Sequence, residues 1–225
     1  MSTTLSTQIP SLAAVHRLAG VPAEPSQPFQ TLVSDSRINT AAEVKDPQAR
    51  QQTISDTYRR EQVLLHQNPD YGIASIGFAP LVARLIKSRG YRSVSDYGAG
   101  KKRLLSALRE HGVSGIEYFP YDPAFPKYGA PQSAELVCCV DVLEHCELEF
   151  LPCVLAELRT LTIKDGFLTV HCSPAKKFLS DGRNAHLIQR PVAWWSAVFA
   201  ELFKVIHSEE FKSDVEGAWF LVTKK

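Results

Sequence analysis

A chain of 225 residues that is 44% hydrophobic and 22% charged sits in the globular range, which excludes a wholly disordered, collagenous or coiled-coil protein and predicts one domain with room for a tail. Lys and Arg number 25 against 24 Asp and Glu, a net charge of +1, so no overall basic field points to nucleic acid or an anionic membrane, and such contact must be local. No apolar run approaches the roughly 20 residues that span a bilayer, so a soluble, cytoplasmic protein is expected.

Residues 1–50 are rich in Ser, Thr, Gln, Ala and Pro with little apolar periodicity, and read as a poorly ordered leader ahead of a domain over 51–225. The leader is expected to be dispensable for folding. A helix is expected from Asp56 to Gln67, stopped by Asn68-Pro69-Asp70-Tyr71-Gly72. A second runs near Phe78 to Arg89, where Leu81, Val82, Leu85 and Ile86 make one apolar face and Gly90 supplies a left-handed cap. The period then changes. A strand near Ser93 to Tyr97 leads through Gly98-Ala99-Gly100 into a helix with Leu104, Leu105 and Leu108 inward, ended by Gly112. A second strand follows near Gly115 to Tyr121, and the third, Leu136 to Val140, is continuously apolar, as a strand buried on both faces should be. A helix from about Glu147 to Leu161 is compatible with Pro152 only in its first turn. After a strand at Phe167 to Cys172, Pro191 opens a helix burying Val192, Trp195, Val198, Phe199 and Leu202, with Trp194 and Trp195 read as core. Two last strands lie near Val205 and Trp219 to Thr223. The alternation predicts a doubly wound α/β fold: a mostly parallel sheet with helices on both faces and an antiparallel C-terminal edge.

In such a sheet the ligand crevice lies beyond the carboxyl ends of the strands, which directs attention to Asp96-Tyr97-Gly98-Ala99-Gly100. A P-loop is excluded, because Ser95 stands where its first glycine belongs and Lys101 is followed by Lys102. A dinucleotide fingerprint lacks its third glycine, replaced by Arg103. What remains is an acidic residue, a Gly-x-Gly turn, and a second acidic residue, Asp122, at a strand end about 20 residues further on. Directly after the third strand comes Asp141-Val142-Leu143-Glu144-His145. Positions i, i+3 and i+4 share a helical face, so Asp141, Glu144 and His145 should converge while Val142 and Leu143 turn inward, a geometry suited to a metal or a base. The five cysteines, Cys138, Cys139, Cys146, Cys153 and Cys172, form no C-x-x-C pair and are expected as reduced, mostly buried thiols.

On these residues the chain, from about Tyr71 to its C-terminus, resembles the class I S-adenosylmethionine (SAM)-dependent methyltransferases. The resemblance implies that Asp96, Gly98 and Gly100 wrap the methionine part of SAM, that Asp122 holds the ribose hydroxyls, and that Asp141 lies against the cofactor. It departs at Lys102, where the family often has a further glycine, and between Asp122 and Glu135, a stretch too short for the usual third strand and its adenine-binding acid. The acidic-x-x-Glu-His run is similar to quinone-precursor O-methyltransferases and small-RNA 3′-end 2′-O-methyltransferases. That likeness implies a divalent cation, Mg or Mn, on Asp141, Glu144, His145 and a later loop histidine, His186. The metal-free alternative keeps His145, His186 and Glu144 as a general-base cluster.

The run at Asp141 lacks the Pro-Pro-aromatic sequence of DNA amino-methyltransferases, and Cys172-Ser173-Pro174 reverses the order that cytosine C5 chemistry needs. Lys176, Lys177, Arg183 and Arg190 form a local basic patch that would suit an anionic acceptor. The function expected from the sequence is SAM-dependent O-methyl transfer to an unidentified acceptor, a small molecule or an anionic substrate. Its rivals are a metal-dependent RNA-end or nucleotide-sugar methyltransferase and a non-catalytic SAM-fold binding module.

Overall fold

The computed structural model describes residues 51–212 and 216–225; the expected leader lies outside them. Helices α1 (Asp56–Leu65) and α2 (Ala74–Arg89) precede strand β1 (Ser93–Tyr97), α3 (Arg103–Glu110), β2 (Glu117–Tyr121) and β3 (Ala134–Val140). Then follow α4 (Leu151–Leu161), β4 (Thr162–His171), α5 (Val192–Leu202), β5 (Phe203–Lys212) and β6 (Glu216–Lys224). Six strands pair in the order β2-β1-β3-β4-β6-β5. The first four are mutually parallel, and β6 runs antiparallel to both β4 and β5, which is the doubly wound sheet with an antiparallel edge that the alternation predicts. Residues 122–133 contain a single 3₁₀ turn, Pro126–Tyr128, and no strand, as the short spacing requires.

Strand alternation builds two cores from one sheet. On β3, Val137 and Cys139 face α4 and α5, packing with Leu155, Trp195 and Phe199. Leu136, Cys138 and Val140 face α2 and α3, packing with Phe78, Val82 and Leu108. Every residue of β3 is buried, which accounts for its uninterrupted apolar run. All five cysteines are free thiols, three buried and two half-buried, and Trp194 and Trp195 are both core.

Local details differ from expectation. Helix α2 begins at Ala74, earlier than the expected Phe78, and carries Pro80 internally; tertiary packing of Phe78 and Ala79 outweighs the lost backbone bond. In α3 the buried positions are Leu104, Ala107 and Leu108; Leu105 is only half-buried. Pro152 does fall in the first turn of α4. Helix α1 is capped by Ser55, whose Oγ accepts the Tyr58 N–H at 3.0 Å. Ser55 in turn donates both its N–H and its hydroxyl to Glu147, at 2.7 and 2.6 Å. Together with the bonds from Ser180 to Glu61, these place α1 across the carboxyl edge of the sheet.

Candidate functional site

Beyond the carboxyl ends of β1, β2, β3 and β4 lies a cavity of about 620 Å³, within the range of small-molecule sites. Asp96, Gly98, Ala99, Gly100 and Asp122 line one end; Asp141, His145, His171, His186, Lys176 and Lys177 line the other, with Tyr58, Gln62, His66 and Tyr71 across it.

The glycine turn is held by the strand beside it. The N–H groups of Gly98 and Ala99 both donate to the Tyr121 carbonyl, at 2.8 and 2.9 Å. Gly98 and Gly100 have φ of +82° and +48°, the left-handed region that favours glycine. A Cβ on Gly98 would lie 2.3 Å from Val142 Cγ2, and one on Gly100 would lie 2.9 Å from His66 Cε1. Closeness to neighbouring side chains therefore imposes glycine here. Lys102, at the position where the resembling family often has glycine, also has positive φ, 57°, at a cost of about 1–2 kcal/mol.

Asp96 is buried at the end of β1 and accepts a hydrogen bond from the Tyr118 hydroxyl. Burial pushes its carboxyl up to about 7, against the lowering effect of that bond and with the charge of Asp122 adding to the rise. Asp122 accepts the Gly100 N–H at Oδ2 (2.9 Å) and the Ala124 N–H at Oδ1 (2.8 Å). Burial raises its pKa and these two bonds oppose the rise. His66 Nε2 stands 3.9 Å from Asp122 Oδ2, and burial lowers its pKa to about 4.

The second end departs from the expected geometry. Asp141 takes a left-handed conformation, φ 59°, and Leu143–His145 is a short 3₁₀ turn, so Asp141, Glu144 and His145 do not share a helical face. Leu143 is buried as expected, but Val142 lines the cavity. Glu144 is fully buried and does not reach the cavity. Its Oε1 accepts the His171 N–H at 2.7 Å, and its carboxyl faces that of Asp141. Burial and the facing carboxylate hold the Glu144 carboxyl well above its ordinary range. Asp141 is held below its ordinary range despite burial, because His171 and His145 face it; His171 Nε2 is 3.7 Å from its Oδ1.

His145 and His186 do converge, their ring centroids 4.7 Å apart and nearly perpendicular. His145 Nδ1 donates to the Ala185 carbonyl at 2.7 Å, and His186 Nδ1 to the Ser173 carbonyl at 2.6 Å. Each bond fixes the tautomer that leaves Nε2 as an acceptor. Burial lowers both pKa values, that of His145 to about 4 with His186 contributing. The expected four-ligand metal site is not assembled. Among the described residues no group of three or more His, Cys, Asp or Glu is disposed to hold a metal ion, and Glu144 is buried outside the cavity lining with its Oε1 on the His171 N–H. The donor set does not fit the cation.

Several cavity residues escape the sequence reading, His171 and His66 among them. His171 is the last residue of β4, and the strand-end rule that picks out Asp96 and Asp122 applies equally to it. His66 follows α1 and carries no motif. No helix among the described residues is long and apolar enough to cross a membrane.

No protein-family model and no curated protein sequence matches the chain. Solved structures do match. A 1,6-didemethyltoxoflavin-N1-methyltransferase from Burkholderia thailandensis, with bound 1,6-didemethyltoxoflavin and S-adenosylhomocysteine, aligns over 92% of this chain and 94% of its own, with a TM-score of 0.54 and 14% identity. The chain has the Rossmann-like methyltransferase fold. The mitomycin 7-O-methyltransferase MmcR aligns over 67% of this chain and 54% of its own, with a TM-score of 0.50 and 13% identity.

Proposed function

We propose that the protein is a SAM-dependent methyltransferase acting on a hydroxyl oxygen of a small molecule, without a metal. One observation carries the reading: a single cavity joins a positive-φ glycine turn flanked by two carboxyl groups, Asp96 and Asp122, to a pair of imidazoles whose Nε2 atoms are left as acceptors. The donor set at the first end fits SAM, with carboxylates for an ammonium group and for ribose hydroxyls. The structural neighbour with bound S-adenosylhomocysteine has the same fold. When bound, SAM supplies an activated methyl group.

The chain's own residues do the rest. Asp96 and the Gly98–Gly100 turn hold the methionine portion, and Asp122 accepts the ribose hydroxyls. Tyr58, Gln62 and Tyr71 are linked by hydrogen bonds of 2.7 Å (Gln62 Nε2 to the Tyr58 hydroxyl) and 3.0 Å (the Tyr71 hydroxyl to Gln62 Oε1), and they close the cavity against water. His145 or His186, neutral at pH 7, takes the acceptor proton on Nε2. Asp141 remains anionic and stabilises the imidazolium that forms, while Glu144 orients Asp141 from behind.

The test is transfer from methyl-labelled SAM across a panel of hydroxylated small molecules, using the full chain and a His145→Gln, His186→Gln variant. Loss of both bases is expected to slow transfer by about 10²–10⁴-fold while affinity for S-adenosylhomocysteine is retained. A double variant that transfers at the wild-type rate would remove the histidines from the mechanism. Binding with no transfer from the wild type to any panel member would favour the binding-module rival.

A further inference from the structure

The cavity is polarised. Asp96, Asp122 and Asp141 line its inner wall, whereas Lys176 and Lys177 line its rim. The expected basic patch shrinks to these two lysines. Arg183 is tied to Asp181 at 2.7 Å, and Arg190 does not line the cavity. Lys101 is spent on the carbonyls of Asn68 and Tyr71, and Arg103 on that of Pro69. Among the described residues neither Lys176 nor Lys177 takes part in an ion pair.

The segment that carries them is braced against the imidazole pair. The Asn184 side chain accepts the Ala175 N–H at 2.8 Å, donates to the Ala175 carbonyl at 2.8 Å and accepts the His186 N–H at 2.9 Å. Ala185 N–H donates to the Lys177 carbonyl at 3.0 Å, and His186 Nδ1 donates to the Ser173 carbonyl. The backbone of Ala175 and Lys177, on either side of Lys176, and the ring of His186 thus belong to one hydrogen-bonded frame. Two uncompensated cations held by such a frame beside an acceptor-presenting imidazole are complementary to a substrate with an anion next to a hydroxyl.

We propose that the acceptor carries a phosphoryl or carboxylate group near its reacting hydroxyl, which Lys176 and Lys177 hold while His186 faces the hydroxyl. Calling that molecule an acceptor rests on the methyl-transfer reading; the anion site itself does not.

The test is protection from chemical modification. The full chain, saturated with S-adenosylhomocysteine, is treated with a limiting succinimidyl ester in the presence of inorganic phosphate, acetate or glycerol, at ionic strength matched with sodium chloride. Modification of each lysine is followed by mass spectrometry. Phosphate or acetate is expected to slow modification of Lys176 and Lys177 severalfold and to leave the exposed Lys87 and Lys204 unchanged, while glycerol and chloride protect neither pair. The protecting anion tells a phosphoryl from a carboxylate acceptor. Absence of protection, or equal protection at all four lysines, would overturn the proposal. So would a Lys176→Ala, Lys177→Ala chain that is still thermally stabilised by the anion that protected the wild type. A chain that binds no S-adenosylhomocysteine in a separate calorimetric titration would defeat the methyl-transfer reading alone, because the protection assay reads the anion site without it.

Discussion

Gly98→Ala is expected to destabilise the protein by about 2–5 kcal/mol, from roughly 1–2 for a left-handed alanine and 1–3 for overpacking, and to abolish binding of S-adenosylhomocysteine. The added Cβ would sit 2.3 Å from Val142 Cγ2, a separation no packed side chain adopts, and Val142 is anchored between Asp141 and the buried Leu143. The turn must therefore move, and with it the N–H groups of Gly98 and Ala99 that are bonded to Tyr121. Denaturant midpoints and calorimetry read both effects. Adding Val142→Ala should recover the overpacking part of the stability and leave the backbone part lost. If Gly98→Ala alone kept wild-type stability and affinity, the turn would have no role in holding a ligand.

Glu144→Ala is the second large effect, about 2–6 kcal/mol, because it strands two partly buried polar groups at about 1–3 kcal/mol each. The His171 N–H loses its acceptor and the Asp141 carboxylate loses the carboxyl group that faces it. Glu144→Gln keeps an acceptor for His171 and a polar group facing Asp141, so it should cost far less. The pH dependence has a definite sign. A carboxyl whose folded pKa is raised contributes stability below its unfolded value and loses it as pH rises through the folded value. Glutamine needs no proton, so as pH rises above the unfolded glutamate value of about 4.3 the Gln variant should gain stability relative to the wild type. Parallel pH dependences for the two chains would show that the Glu144 carboxyl is not held above its ordinary range.

The parts of the site that rest on local backbone rules were legible in the sequence. Asp96, the Gly98–Gly100 turn and Asp122 follow from strand ends and positive φ, and the meeting of His145 with His186 follows from two loops crossing the same sheet edge. The helical-face argument for Asp141, Glu144 and His145 failed for a physical reason. Side-chain spacing fixes a face only if the backbone is helical, and Asp141 enters a left-handed conformation that directs Glu144 into the core. That same bend turns Val142 toward Gly98. His66 was invisible because α1 reaches the site through tertiary contacts, such as Ser55 with Glu147 and Glu61 with Ser180, that no sequence period encodes.

The most direct test of the account is a calorimetric titration of the full chain with S-adenosylhomocysteine as a function of pH. Burial holds the Asp96 carboxyl up to about 7, and an ammonium group binds the carboxylate form. One site per chain is therefore predicted, with affinity level just above pH 7 and falling below it by up to about tenfold per pH unit, accompanied by proton release; Asp96→Asn should flatten that dependence. A folded chain that shows no binding at any pH would contradict the assignment of this cavity to the cofactor, and an affinity that stays constant from about pH 5 to about pH 8 would contradict the pairing of Asp96 with the ammonium group.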